Sequence, residues 1–384
     1  METNVPTAQR VQKWANKIWF EYNRDNGFAQ YSGGKGSGKI IIGLKELADG
    51  GKTLNIPFTP LLNSAGIRGN DVLTGSEADL DIQNEQISLD YIRQAVKTKK
   101  SDGRFVGFDL YETSEQAVKD WFMNDFRNRI IQQLLSIRAS GTGDNTLYGS
   151  VVTTGNNGPT IASADYIASE ADKDTWLTNN ADRVQFGKLV SNGSSNDHST
   201  ALATLDTTDD TLRAQIVSLA KRRAKQANPR IKPLRIGEGG EEWYVMFCNS
   251  RSFRDAKADS TINTANTYAR SREKIMENPI FTGGELLYDG VILKEIEEIP
   301  TLTNAGSGGT TDVGPNFLCG QEAIGRAMGS DPTPIEEETD YKFRKGVGME
   351  ELTGLKKIFF TNGGTTTCKQ HGVLTTYCAA AADS

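Results

Sequence analysis

The stretch that decides the fold is residues 112–140, ETSEQAVKDWFMNDFRNRIIQQLLSIRAS. Thr113 to Gln116 offer N-capping side chains, and Gly141 follows the stretch. The pattern predicts a helix from Glu112 to Ser140, roughly 43 Å long at 1.5 Å per residue, which is long enough to act as a spine. Large apolar residues recur at helical spacing and form its predicted core face: Val118, Phe122, Phe126, Ile130 and Leu134.

Upstream of the spine, residues 51–100 predict an extended β loop. KTLNIPFTPLL (52–62) and QISLDYIRQAVK (86–97) alternate apolar and polar residues, as strands do. Pro57 and Pro60 exclude the first strand from the centre of a sheet. A glycine-punctuated tip joins the two strands. Because a two-stranded ribbon is marginal in water, we expect its apolar face to lie on the parent domain or on a neighbouring subunit.

Downstream of the spine the chain mixes loops, helices and strands. Residues 141–208 are rich in Gly, Ser, Thr, Asn and Asp, which is typical of loops. A helix is predicted at 209–227 and buried strands at 241–250, 290–299 and 355–363. Residues 316–329 are interpreted as a strand, a turn and a helix. The predicted fold class is α+β.

Composition excludes several classes of protein. The chain has 384 residues, is 37% hydrophobic and 24% charged, and has a net charge of -6. This acidic balance argues against a dedicated nucleic-acid binder. No stretch is long and apolar enough to span a membrane, and we expect no secretory signal. The four cysteines lack C-x-x-C spacing, and Cys248 and Cys319 are predicted to be buried free thiols.

Motifs for catalysis or metal binding are absent from the sequence. The two histidines, His198 and His371, lie in polar segments and are interpreted as exposed loop side chains. No G-x-S-x-G elbow, zinc spacing or EF-hand loop occurs. We therefore expect no enzyme activity, no cofactor, no metal, and no catalytic residue.

One motif imitates a phosphate-binding loop. GGKGSGKI at 33–40 completes G-x-x-x-x-G-K between Gly33 and Lys39, but Ile40 replaces the magnesium-binding Ser or Thr. The preceding residues include no apolar run that could form the required strand. A nucleotide hydrolase is kept as a remote alternative, and a flexible connector is favoured.

The marked basic cluster of the sequence is KRRAKQANPRIKPLR at 221–235. A solvated basic helix face is the favoured interpretation. Without aromatic residues for base stacking, any nucleic-acid contact would be with phosphates and blind to sequence. The possible phosphate-facing residues are Lys221, Arg222, Arg223 and Arg230.

Several segments, in order, resemble the major capsid proteins of tailed bacteriophages (Caudoviricetes), and most closely the N4-like group. They are the loop at 51–96, the spine, IVSLAKRRAKQANPRIKPLRIGEGGEEWYVMFCNSRSFRDAKAD (216–259), ENPIFTGGELLYDGVILKEIEEIPTL (277–302), FLCGQEAIGRAMG (317–329) and ETDYKFRKGVGMEELTGLKKIFF (338–360). The resemblance covers about residues 11–362. Residues 150–200 and 363–384 match nothing in that family's pattern.

The resemblance implies the HK97-like capsid fold. Its parts would be an N-terminal arm (1–50), the extended β loop (51–100), a peripheral domain with the spine helix (101–150) and a mainly axial domain (151–335). Strands near 285–300 would return to the peripheral domain, and 336–384 would complete it and form the tail. The loop would make a subunit interface through Ile56, Phe58, Gly66, Arg68, Gly69, Leu73, Ile87, Leu89 and Tyr91.

The family also implies partners and a location. The subunit would assemble with itself, as hexamers and pentamers, into an icosahedral virion head around double-stranded DNA, in the bacterial host cytoplasm. A separate scaffolding protein, a portal protein and a possible decoration protein would be partners, and no membrane. An encapsulin-type compartment is the alternative with the same fold, and the contents of natural particles would distinguish the two.

Overall fold

The computed structural model describes residues 27–47, 50–59, 66–69, 74, 77, 82–105, 110–141, 145–146, 151–153, 159–162, 170–236, 241–268, 285–361 and 367–382. Most of the predicted N-terminal arm and much of the tip of the predicted loop, Leu73 included, lie outside these residues. No helix among them is both long and apolar enough to cross a membrane.

The helices of the described residues are α1 (Lys100–Phe105), α2 (Leu110–Leu135), α3 (Glu170–Asn179), α4 (His198–Ala203), α5 (Ala214–Gln226), α6 (Ser250–Ala258) and α7 (Ser260–Tyr268). The strands are β1 (Ser32–Gly34), β2 (Ile41–Leu44), β3 (Thr53–Phe58), β4 (Gln83–Ser88), β5 (Asp90–Lys99), β6 (Val152–Thr153), β7 (Pro159–Ala162), β8 (Val184–Phe186), β9 (Leu234–Ile236), β10 (Glu241–Cys248), β11 (Leu286–Tyr288), β12 (Val291–Glu295), β13 (Thr301–Thr303), β14 (Val313–Cys319), β15 (Ile324–Thr339), β16 (Arg344–Lys357), β17 (Phe359–Thr361), β18 (Cys368–Gln370) and β19 (Val373–Ala379).

The chain folds as two compact units. The described residues of Met1–Leu54, Ile87–Gln133 and Ile324–Lys356 form the first unit. It contains most of the long helix α2 and a five-stranded sheet in the order β1-β2-β15-β16-β5. β5 runs antiparallel to β16 over ten residue pairs, so the sheet ends in a long edge strand.

The described residues of Asn55–Gln86, Leu134–Ala323 and Lys357–Ser384 form the second unit. It is built on a ten-stranded sheet with β14 and β19 at its centre, both buried along their whole length. The buried faces of α5, α6 and α7 share one apolar cluster with this sheet. Packing on the sheet explains why α5 buries Ile216, Val217, Ala220 and Ala224, which recur at helical spacing.

The spine helix forms close to where the sequence predicts it. α2 spans 26 residues, Leu110–Leu135, rather than Glu112 to Ser140. It ends early because Ile137 forms an antiparallel bridge with Thr146, and a residue in a bridge cannot continue the helical hydrogen-bond ladder. The helix at 209–227 likewise starts later, at Ala214.

Two predicted elements are wrong. Residues 324–329 are not helical; they begin β15 and pair in parallel with β2, so the main chain is already hydrogen-bonded as a strand. Residues 90–97 do not continue the loop's second strand. β4 pairs with β3 and ends at Ser88, and β5 then joins the five-stranded sheet.

The predicted domain boundaries also need correction. β12, which was expected to return to the unit of the spine helix, pairs with β10 in the ten-stranded sheet. The described residues of 357–384 belong to the second unit rather than completing the first, because β19 forms seven residue pairs with β14. β15 belongs with the spine from Ile324 onwards, ahead of the predicted boundary at 336.

Candidate assembly surfaces

The root of the extended loop is fixed by a buried ion pair. Arg138, just beyond α2, donates from Nη1 to Glu85 Oε2 at 2.8 Å and from Nη2 to Glu85 Oε1. Both side chains are almost completely buried. Asn145 Oδ1 accepts a further bond from Arg138 Nη2 at 2.9 Å, and the Phe359 ring lies 4.8 Å from the guanidinium carbon. Buried charges need such pairing because desolvation is costly.

Two of the loop residues predicted to face a neighbouring subunit face the subunit's own core. Ile87 and Leu89 are buried. A Cβ on Gly354 would lie 3.0 Å from Ile87 Cγ2, and one on Gly329 would lie 3.0 Å from Leu89 Cδ1. The predicted apolar face exists, but at Ile87 and Leu89 it packs on β15 and β16 of the same subunit, so both residues are wrong as interface candidates.

The other loop candidates remain accessible to different degrees. Ile56 and Phe58 are half-buried, and the Phe58 ring lies 5.1 Å from that of His371. Gly66, Arg68 and Gly69 are exposed, and both glycines have positive φ. Tyr91, at the start of β5, is 63% exposed. Leu73 lies outside the described residues.

The core face of the spine helix is buried. Val118, Phe122, Phe126, Ile130 and Leu134 are each at most 1% exposed. The Phe126 ring lies 4.4 Å from the guanidinium carbon of Arg326, which is paired with the buried carboxylate of Glu351. Trp121, on another face of α2, is exposed.

The basic cluster is largely neutralised within the subunit. Lys221 Nζ lies 2.7 Å from Asp289 Oδ1, and Arg230 Nη2 lies 3.2 Å from Glu242 Oε2. Lys225 also pairs with Glu242 and, with Arg230, lowers the pKa of that carboxyl. Arg223 donates to the carbonyl of Ala181. Of the four candidates, Lys221 and Arg230 have ion-pair partners among the described residues, whereas Arg222 and Arg223 have none.

The interpretation of both histidines as exposed loop side chains is wrong. His198 is fully buried at the start of α4, with its ring 5.9 Å from Trp176, 5.6 Å from Phe186 and 5.4 Å from Tyr377. Burial lowers its pKa to about 3, with Lys173 adding to the effect. His371 is also largely buried, and its Nε2 lies 3.7 Å from Glu322 Oε2.

The phosphate-loop alternative is wrong as well. Gly33 and Gly34 end β1, and the chain after Lys39 enters β2, which pairs in parallel with β1. A nucleotide-binding loop instead opens a helix, whose amides hold the phosphates. Lys39 Nζ donates to the carbonyl of Gln30 at 3.0 Å.

One group of carboxylates has a spacing that could hold a cation: Glu170, Asp174 and Asp197. Each already accepts a backbone amide at the start of α4. Asp174 accepts from His198 N at 2.7 Å, Glu170 from Ser199 N at 2.9 Å and Asp197 from Thr200 N at 2.8 Å. We assign them to helix capping.

Cys248, Cys319, Cys368 and Cys378 are buried free thiols, which confirms the prediction for the first two.

Sequence reasoning missed the hairpin formed by β15 and β16. Its turn exposes Tyr341 and Phe343, and Ile335 is exposed nearby on β15. The first four residues of the acidic run 336–340 are the end of β15. In the sequence, the apolar residues on either side of that run, Ile335 and Tyr341, are the feature that could have indicated a hairpin.

Comparisons with known proteins match this chain to phage capsid proteins over nearly its full length. A family model described as phage capsid protein matches residues 2–382. The chain is 24% identical over 396 residues to the major capsid protein of Pseudomonas phage KPP25, covering 98% of each chain. It is similar to the capsid subunit of cyanophage Pam1, with 30% identity, a TM-score of 0.78 and full coverage of both chains. The capsid of Ralstonia phage GP4 has a similar fold, with 19% identity, a TM-score of 0.69 and coverage of 94% and 92%.

Proposed function

Because this chain belongs to the phage capsid protein family, we propose that it forms hexamers and pentamers that close into an icosahedral head around double-stranded DNA. Its fold is the α+β, HK97-like fold that the sequence predicts. It is a major capsid protein, a structural component of the virion that associates with copies of itself. The full-length likeness to the Pam1 capsid subunit carries the proposal.

We assign the first unit to the peripheral domain and the second to the axial domain. The assignment is supported by α2, which lies mostly in the first unit, and by the large sheet of the second. The extended loop, from β3 to β4, would reach a neighbouring subunit. The exposure of Gly66, Arg68 and Gly69 supports this, and the buried pair of Glu85 and Arg138 anchors the root of the loop.

Contact with packaged DNA would be weak and blind to sequence. Arg222 supports such contact, but the ion pairs of Lys221 and Arg230 oppose a strong phosphate site. A separate scaffolding protein, a portal protein and a possible decoration protein complete the proposed set of partners. No catalytic activity is proposed.

Negative-stain microscopy of the purified protein tests this function. Polyhedral particles, sheets or tubes are expected, together with a fast-sedimenting fraction that grows with protein concentration. Lys39→Ala should assemble as the unmodified protein does. A protein that stays monomeric at high concentration, with and without a co-expressed scaffolding protein, would contradict the proposal. DNA in natural particles, rather than protein cargo, would distinguish a phage head from an encapsulin-type compartment.

A further inference from the structure

The turn of the hairpin between β15 and β16 projects an aromatic side chain that its own subunit does not cover. Tyr341 is 105% exposed, more than any other large apolar residue described. Asp340, Tyr341 and Lys342 have φ values of 57°, 50° and 69°. Three successive non-glycine residues in this left-handed region are unfavourable, and such strain concentrates at functional positions.

The turn is well anchored. Phe343 N donates to Asp340 O at 2.9 Å, and Lys100 N donates to Phe343 O at 2.9 Å. Glu338 lies 3.5 Å from Lys342 Nζ and 3.3 Å from Lys345 Nζ, so the two sides of the turn are also linked by charge. The projection of Tyr341 is therefore a built feature of the hairpin.

A trough of about 480 Å³ lies on the same hairpin and on β5 beside it. Three of its lining residues have little or no side chain: Gly348, its cross-strand partner Ala95, and Gly346 two positions earlier in β16. A Cβ on Gly346 would meet no atom closer than 3.6 Å, so packing within the subunit does not require glycine there. Ile335 lines the trough, and the ion pair of Lys97 and Glu337, at 3.6 Å, lies beside it.

We infer that Tyr341 of one subunit inserts into this trough of a second copy of the chain. The inference rests on the proposed function, because a shell subunit is surrounded by copies of itself. The charges do not oppose the contact, because each surface carries one charge of each sign: Asp340 and Lys342 flank Tyr341, and the cross-strand partners Arg93 and Glu350 line the trough. Each copy carries both the turn and the trough. In a ring of copies related by rotation, each subunit can therefore insert its Tyr341 into one neighbour and accommodate the Tyr341 of another.

Cysteine crosslinking between two kinds of subunit tests this contact. Subunits with Tyr341→Cys and subunits with Ala95→Cys are co-assembled and treated with a bismaleimide, because cysteine is shorter than the tyrosine that it replaces and a direct disulfide would not span the gap. Crosslinked dimers are expected from the mixture and not from either variant alone. The four native cysteines are buried, so background crosslinking should be low. Leu189→Cys, at an exposed apolar position of the second unit, replaces Ala95→Cys in the matched control and should give no dimers.

A second measurement uses Tyr341→Ala and the trough-filling Gly346→Leu. Each should lower particle yield at fixed subunit concentration by about tenfold, as expected for a central aromatic contact. The double variant should be no worse than either single variant, because both remove the same contact. If particles form normally, unchanged yields from the variants together with no dimers from the crosslinked mixture would overturn this inference but leave the proposed function standing. Failure of the unmodified chain to assemble at all would instead count against the proposed function.

Discussion

Arg138 and Glu85 form a buried two-point ion pair between residues 53 positions apart in the sequence. Arg138 lies just after the spine helix, and Glu85 lies in β4 of the extended loop. The pair therefore joins the root of the loop to the segment that follows the spine helix, within one subunit.

Removing one partner should leave the other charge buried without its counter-charge. We expect Glu85→Gln to lower the free energy of unfolding by about 3–5 kcal/mol, measured by urea denaturation of the unassembled subunit. Lys97→Gln is the matched control because its partner Glu337 and Lys97 itself are exposed; it should change stability by less than about 1 kcal/mol. Equal, small effects from both variants would contradict a structural role for the buried pair.

Phe126 should be indispensable to the folded subunit. It is 1% exposed, and the guanidinium group of Arg326 lies over its ring. Phe126→Ala should cost about 3–5 kcal/mol. Phe126→Asp should abolish folding because it would leave a cavity and bury a carboxylate beside Arg326, which already pairs with Glu351. Circular dichroism and the soluble fraction after expression check this. Trp121→Asp, on an exposed face of the same helix, should stay soluble; a folded Phe126→Asp subunit would refute the assignment of the core face.

Local periodicity was enough to predict the spine helix and most buried strands. The face of α2 follows from apolar residues spaced by about one helical turn, and β10 follows from a continuous apolar run. The pairing of β5 was not predictable in the same way. Nothing in the alternation around Leu89 reveals that the chain leaves one sheet and joins another, since the partner, β16, lies about 250 residues later.

The predictions for His198 and for the basic residues at 221–235 depended on contacts that are likewise distant in the sequence. His198 lies in a polar segment, but its burial comes from Trp176, Phe186 and Tyr377, which are distant in sequence. The basic residues at 221–235 look free until Asp289 and Glu242 are brought beside them. Long-range pairing decides both cases, and a single sequence does not contain it.

Trimming the loop tip from Gly66 to Asp79 should separate folding from assembly. The buried root at Glu85 and Arg138 is retained, so the trimmed subunit should keep its circular dichroism spectrum and thermal midpoint. Stable particles should be lost, because the exposed residues of the tip would no longer reach a neighbour. Sedimentation velocity checks this, and normal shells from the trimmed chain would count against the loop as an interface.

Acid should destabilise the subunit partly through His198. Burial, helped by nearby Lys173, lowers its folded pKa to about 3, against about 6.5 in an unfolded chain. Between these values the unfolded state binds a proton that the folded state does not. The contribution of His198 to the free energy of unfolding is therefore fully present above pH 6.5, and it falls by about 1.4 kcal/mol per pH unit towards pH 3.

The variant His198→Phe isolates this contribution, because phenylalanine matches the aromatic surroundings and cannot be protonated. Urea denaturation at pH 7, 6, 5 and 4 should show a shallower loss of stability in the variant than in the unmodified subunit, while their difference at pH 7 stays small. Asp197 opposes the shift only weakly and is retained in both proteins. Parallel pH profiles would mean that the imidazole is protonated, or reaches solvent, in the folded subunit, and would remove His198 from the account of acid sensitivity.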